Sequence, residues 1–214
     1  MVLDEKKLIE SVKALHQKKR GFAQSYDLIV AFKDLNMKNP TDQVEFFANI
    51  PHGLGRKRTV CALVGPEMID DAKKAVDMAL EQSQFEKMPK KELRKYAAKY
   101  DWFIGQANIM PKIAGSFGRT LGPRGKMPNP KAGCIVPPKA PLAPLVERLQ
   151  KTVKISVKKA PTVQVLIGSQ KMTEQEVIDN VKSLYDQIIH HLPKEENNVR
   201  RVYLKVTMEK PVQL

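Results

Sequence analysis

Thr59-Val60-Cys61-Ala62-Leu63-Val64-Gly65-Pro66 is a short apolar strand stopped by two residues that break one. Gly loses the most entropy on ordering and Pro has no N–H for a ladder, so the strand ends there. The chain on either side has a different texture, and that difference sets the expected architecture.

Downstream, helices and strands alternate. Residues 67–82 place Met68, Ile69, Ala72, Val76 and Ala79 or Leu80 on one side of a helix. Residues 90–98 read as a second short helix and residues 101–104 as a buried strand. Residues 107–116 read as partly helical, with Pro111 in a first turn, and residues 142–150 as another helix. Such an order points to an α/β layer structure with a parallel sheet.

Upstream and beyond residue 151 the pattern is different. Leu8, Ile9, Val12 and Leu15 form a helical stripe within residues 4–19, stopped by Gly21. Residues 25–33 and 44–50 read as strands around a polar loop that contains Asn39-Pro40. Residues 152–157 and 162–167 alternate and are joined by Lys158-Lys159-Ala160-Pro161, as in an antiparallel hairpin. Thr173-Glu174-Gln175-Glu176 is a capping box, and the helix after it buries Val177, Val181, Leu184 and Ile188 before Pro193. In residues 201–208, Val202, Leu204 and Val206 alternate with Tyr203, Lys205 and Thr207, a strand with one wet face.

Both ends therefore share one texture, antiparallel strands covered by helices on one side. The expectation is a split α+β two-layer domain from residues 1–66 and 158–214, with a Rossmann-like α/β three-layer domain, residues 67–157, inserted in it. Crossings at Gly65-Pro66 and at Lys158 are expected to act as a double linker and hinge.

The 214 residues carry a formal charge of +14. Basic clusters recur at Lys18-Lys19-Arg20, Arg56-Lys57-Arg58, Lys158-Lys159 and Arg200-Arg201, with no acidic tail to neutralise them. A nucleic-acid backbone is the polyanion such a distribution fits. No run approaches the roughly 18 apolar residues of a membrane span, and the first residues lack the apolar stretch of a secretion signal. A cytoplasmic protein without a membrane partner is expected. Cys61 and Cys134 are too few and too scattered for a disulfide framework or a zinc knuckle, so neither metal nor cofactor is expected.

Catalytic motifs fail on inspection. Gly125-Lys126 lacks the glycine of a phosphate loop five residues earlier, where Thr120 stands, and Met127 replaces its Ser or Thr. His52 precedes two glycines, yet no Gly-x-Ser-x-Gly accompanies it. His190 and His191 are adjacent on a helix and do not face one ligand. The chain reads as a non-enzyme with no catalytic residue.

Between Asp101 and Glu147 there is no acidic residue. The centre of that gap reads Gly118-Arg119-Thr120-Leu121-Gly122-Pro123-Arg124-Gly125-Lys126-Met127-Pro128-Asn129-Pro130-Lys131, which is expected to be a long shaped loop. This run resembles the signature of the L-one family of large-subunit ribosomal proteins, which form a mobile stalk beside the exit site. Pro51-His52-Gly53-Leu54-Gly55 and Thr207-Met208 match two further family segments. The resemblance covers essentially the whole chain and is of the archaeal type.

That resemblance implies a non-enzymatic protein that grips a folded element of large-subunit ribosomal RNA, mainly with the domain built from both termini. It implies binding of a similar fold in the leader of its own messenger RNA, with repression of translation. It further implies help in the movement and release of deacylated tRNA from the exit site, and a monomer when free. The family's RNA contacts map onto Phe32 and Lys33, onto Thr41-Asp42-Gln43, and onto Tyr203, Thr207 and Met208, with Gly168 at the end of the neighbouring hairpin. Thr207 and Gln43 both donate and accept, as a 2′-hydroxyl does. Lys33 and Arg201 are expected to meet phosphates, and Gly168 to let backbone come close. One departure stands out: the family continues Thr-Met-Gly-Pro, whereas this chain has Glu209-Lys210 before Pro211.

Overall fold

The computed structural model describes residues 4–17, 20–39, 42–158 and 160–214. Lys18, Lys19, Pro40, Thr41 and Lys159 lie outside the described residues, and with them the site expectation for Thr41. In chain order the elements are α1 (Glu5–His16), β1 (Ser25–Phe32), β2 (Val44–Asn49), β3 (Val60–Val64), α2 (Ile69–Ala75), β4 (Met78–Glu81), α3 (Gln82–Lys87), α4 (Lys90–Lys99) and β5 (Trp102–Gln106). There follow α5 (Met110–Leu121), β6 (Ile135–Val136), α6 (Ala143–Lys151), β7 (Thr152–Val157), β8 (Thr162–Ser169), α7 (Glu174–His190), β9 (Val199–Val206) and β10 (Val212–Gln213). The chain divides into two compact units, a terminal one of Met1–Arg56 with Lys151–Leu214 and a central one of Lys57–Gln150. Among the described residues no helix is long and apolar enough to cross a membrane.

In the terminal unit an antiparallel sheet runs β10-β9-β1-β8. Alternation does what period two requires: Tyr26, Leu28, Val30 and Phe32 of β1 are buried, while Ser25, Asp27, Ile29 and Ala31 are half-buried on the other face. The two helices pack on the buried face, where Leu8, Val12 and Leu15 of α1 join Val181, Leu184 and Ile188 of α7 in one core. Asp4 caps α1 by accepting from the amides of Lys6 and Lys7 at 3.1 and 3.4 Å. The capping box of α7 is present in both directions, Thr173 N to Glu176 Oε2 at 2.8 Å and Glu176 N to Thr173 Oγ1 at 3.4 Å. Pro51-His52-Gly53-Leu54-Gly55 is seated by the buried Asn180, which accepts from His52 N and donates to the carbonyls of Gly53 and Ile167. Gly53 and Gly55 sit at φ +67°, the left-handed region that this turn needs.

The central unit is a parallel sheet in the order β4-β3-β5-β6. Every residue of β3 is buried, which requires cover on both faces. Cys61 and Leu63 of β3 face a core with Phe85 of α3, Leu93 of α4 and Ile113 and Phe117 of α5.

Four expectations are corrected. Residues 67–82 are not one helix: α2 ends at Ala75, Val76 is extended, and Ala79 and Leu80 pair with Ala62 and Leu63 as strand β4. Gly118 to Leu121 is not loop but the last turn of α5, because Ile113, Phe117 and Leu121 recur at four-residue spacing and are buried. β7 does not form a hairpin ladder with β8 among the described residues; it pairs with β2, from Val44 opposite Val157 to Asn49 opposite Thr152. The unit boundaries accordingly fall at 56/57 and 150/151 rather than at 66/67 and 157/158, since β3 belongs to the central sheet and β7 to the terminal unit.

The expected hinge residues move with those boundaries. Gly65 and Pro66 lie inside the central unit, where Gly65 N donates to the buried Gln106 Oε1 at 2.7 Å. Lys158 lies inside the terminal unit and pairs with Glu45 at 2.6 Å. None of the three stands at a crossing.

Candidate nucleic-acid interface

The face of the terminal sheet turned away from α1 and α7 is built in rows by strand register. Arg201 of β9 lies opposite Ala31, which lies opposite Thr162 of β8. The next row is Tyr203, Ile29 and Gln164, with Gln213 of β10 beyond Tyr203. A third row joins Lys205, Asp27 and Leu166. Arg201, Thr162 and Gln164 are exposed, and Tyr203, Ile29, Leu166 and Lys205 are half-buried. The surface therefore offers an aromatic ring and aliphatic groups that bases can lie against, flanked by cations for phosphate. Arg201 Nη1 reaches Tyr203 Oη at 3.5 Å, a contact that raises the guanidinium pKa further. Burial lifts the Asp27 carboxyl above its ordinary range, against the opposing pull of Lys205.

At one end of these rows the chain closes into a hydrogen-bonded cluster. The Thr207 hydroxyl accepts from Ser25 N at 3.0 Å and donates to Ser25 O at 3.3 Å. Met208 N donates to Oε1 of the buried Gln24 at 3.1 Å, and the Gln24 carbonyl accepts from Gln170 N at 2.9 Å. With the backbone fixed from both sides, two large apolar side chains still stand out: Phe22 is 52% exposed and Met208 59%. Beside Phe22 lies a concavity of about 300 Å³ lined by His16, Arg20, Gln170 and Lys171. Glu209, the departure from the family pattern, is neutralised by Arg20 at 2.9 Å and its side chain is largely covered.

The expected site residues divide. Arg201, Tyr203, Thr207 and Met208 share the open face and its end. Gly168 lies opposite Tyr26 near that end, but it is buried, and a Cβ there would stand 3.2 Å from Met172 Sδ. Phe32 is only 4% exposed and points into the core, so it offers nothing to a ligand. Lys33 is exposed beyond the opposite end of β1, where its backbone is clamped by Asn198. Asp42 accepts from Asn36 N at 2.9 Å and Gln43 donates to Met37 O at 2.9 Å, so both hold their own loop. At about 3.3 Å per residue, Lys33 and Thr207 are separated by roughly 25 Å of strand. The single cluster expected from both chain ends is instead a face with Thr207 at one end and Lys33 off the other.

Sequence reading missed Phe22, Gln24, Ser25, Asp27, Ile29 and Gln164, and placed Lys205 on the wet face of its strand without assigning it to the site. The signal for Asp27 and Ile29 was there: one charged residue inside an apolar strand marks the outward parity. No comparable signal marked Gln24, whose role is set by β9 arriving beside it. Among the described residues no group of three His, Cys, Asp or Glu could hold a metal ion.

The glycine- and proline-rich segment after α5 is largely occupied with its own unit. Lys126 Nζ donates to the carbonyls of Ala97 at 3.1 Å and Tyr100 at 2.6 Å, and Asn129 Oδ1 accepts from Lys131 N at 2.9 Å. Residues 12–209 match the profile of the ribosomal protein L1p/L10e family. The chain belongs to that family. It is 35% identical over 213 residues to the large ribosomal subunit protein uL1 of Pyrococcus horikoshii, across 97% of this chain and 95% of that one. The uL1 of Thermococcus kodakarensis is 36% identical over 213 residues, across 97% and 96% of the two chains. That of Nanoarchaeum equitans is 37% identical over 200 residues, across 92% and 93%. The L1p/L10e family is structural and not enzymatic.

Proposed function

We propose that the protein is a large-subunit ribosomal protein that grips a folded ribosomal RNA with the open face of its terminal sheet. The observation that carries the reading is the open face itself, where Tyr203, Ile29 and Leu166 lie between the cations Arg201 and Lys205, with Phe22 and Met208 exposed beyond its Thr207 end. Bases stack on Phe22 and Tyr203 while phosphates meet the cations, a division of labour typical of RNA-binding sheets. The same face serves the leader of the protein's own messenger RNA, and so represses its translation in the cytoplasm. In the assembled ribosome the protein contacts the exit-site tRNA and assists its release, and when free it is a monomer.

The test is binding of a stalk RNA fragment to the Phe22→Ala variant. Because Phe22 is exposed, thermal stability is expected to stay the same while affinity falls by about 1–3 kcal/mol, the usual value of one base stacked on an aromatic ring. Unchanged affinity would place the RNA elsewhere. The messenger leader is expected to compete with the fragment for the wild-type protein; simultaneous binding of both would sink the shared-face account of repression.

A further inference from the structure

α4 carries Lys90, Lys91, Arg94, Lys95 and Lys99 against a single acid, Glu92. Leu93 and Ala97 turn inward against the α5 side of the central unit, and all five cations are exposed on the remaining surface. Lys91, Arg94, Lys95 and Lys99 share one face along about 12 Å of helix axis.

Local physics opposes this arrangement. Lys90 and Lys91 sit in the first turn, where the helix dipole disfavours positive charge. Lys91 repels Lys95, and Lys95 repels Lys99, each four residues on. Among the described residues no ion pair relieves Lys90, Lys91, Arg94 or Lys95, and Lys99 rests 5.4 Å over the Tyr100 ring. From residue 87 to residue 146 the acids are Glu92 and Asp101, and Asp101 is turned to Thr59, accepting from its amide at 3.2 Å.

The loop after α5 extends the same surface. Lys126 is anchored on the last carbonyls of α4, which seats the adjoining Arg124, exposed, near the end of the helix. The cationic face therefore runs from the first turn of α4 onto the loop.

We propose that this face of α4, continued by Arg124, is a second RNA-binding surface that holds the sugar–phosphate backbone of A-form RNA without reading sequence. Backbone binding needs spread, hydrated cations and nothing else. A protein partner would call for a buried apolar anchor at the centre of the patch. The exposed positions among these cations offer none larger than Ala98, and the half-buried Tyr96 at the edge is packed on the core and stacked on Tyr100. The surface belongs to the central unit and stands independently of the sheet face proposed above.

The experiment uses the full chain and a 20-base-pair RNA duplex of arbitrary sequence, titrated over a range of salt concentrations. With Lys91, Arg94, Lys95 and Arg124 all replaced by Gln, affinity at low salt is expected to fall at least tenfold. The log–log salt slope should become shallower by about 3, as expected for four lost phosphate contacts. Adding Phe22→Ala to this set should leave the loss unchanged, which separates the two surfaces. Lys91→Glu alone keeps the test open should the quadruple variant misfold: it relieves the helix, so melting temperature is expected to hold or rise while the slope drops by about one. Unaltered slope and affinity in the quadruple variant overturn the proposal. So does a variant that keeps duplex binding but loses binding of polyglutamate, which would reassign the face to an acidic protein.

Discussion

Tyr26 lies on the buried side of β1 with its hydroxyl 3.0 Å from His16 Nδ1, and burial pushes its pKa up to about 12. Burial likewise raises the Cys61 thiol to about 12 and the Cys134 thiol to about 11. In the unfolded chain these groups ionise near their ordinary values, thiols first and phenol about a unit later. Above those values the unfolded state holds fewer protons than the folded one, so stability must fall as pH rises. The full contribution is present below about pH 9 and is lost progressively toward pH 12. Urea midpoints measured from pH 8 to 11 should therefore decline, and Tyr26→Phe should flatten the part above pH 10; a level profile in the wild type would refute this. The same strand shows what one residue can and cannot announce. Phe32 ends an apolar run and enters the expected site through the family resemblance, yet Asp27 fixes the parity that sends residue 32 inward with Tyr26, Leu28 and Val30. Phe22 precedes the strand and has no parity, so only the folded chain reveals that it stays in water.

At the scale of elements, α4 and the segment after α5 depend on one another. The final carbonyls of a helix have no partner within it, and here an ammonium from 26 residues further on meets Tyr100 O and, with it, Ala97 O. Burial lowers the Lys126 pKa, aided by the charge of Arg124 and resisted by Asp101, yet the two carbonyl bonds keep the cation in place. Lys126→Met preserves much of the stem and removes both bonds, at an expected cost of about 1–2 kcal/mol given partial access of water. Amide exchange should quicken in the last turn of α4 and remain as before in α1 and α7; equal protection throughout would deny Lys126 this role. Elements with one strong period were legible beforehand: the capped helix α7, the alternating strand β9 and the apolar strand β3. Elements whose residues fit two periods were not. Ala79 and Leu80 suit a helix stripe as well as a strand, and only pairing with Ala62 and Leu63 decides between them. The glycine at 118 disguised the last turn of α5, where an added Cβ would meet nothing within 4 Å and the apolar face alone carries the helix.

For the molecule as a whole, the inserted layout was visible because texture changes twice along the chain, but the crossing points depend on which strands pair. β7 follows α6 without a gap, and its alternation looks the same whether its neighbour is β8 or β2. Pairing with β2 draws Lys151 into the terminal unit, where its carbonyl accepts from Ile50 N at 2.9 Å. Arg56 and Lys151 are thus the last residues of the terminal unit at each crossing, and joining them directly should leave its sheet, its ladder β2-β7 and its core intact. The shortened chain is expected to fold, to show a single cooperative melt, and to bind the stalk RNA fragment through Phe22, Arg201 and Thr207 nearly as well as the full chain. It should bind the arbitrary duplex much less well, since α4 is gone. Excision of residues 67–157 makes the contrasting case, for it removes β7 while keeping β3. β2 would then lose its partner and bare Val44, Phe46 and Ala48, all buried in the intact unit, together with an unpaired strand edge. That chain should aggregate or melt without cooperativity. If the second excision instead folds and the first does not, the assignment of β3 and β7 to their units is reversed, and the sheet face loses the frame that holds it.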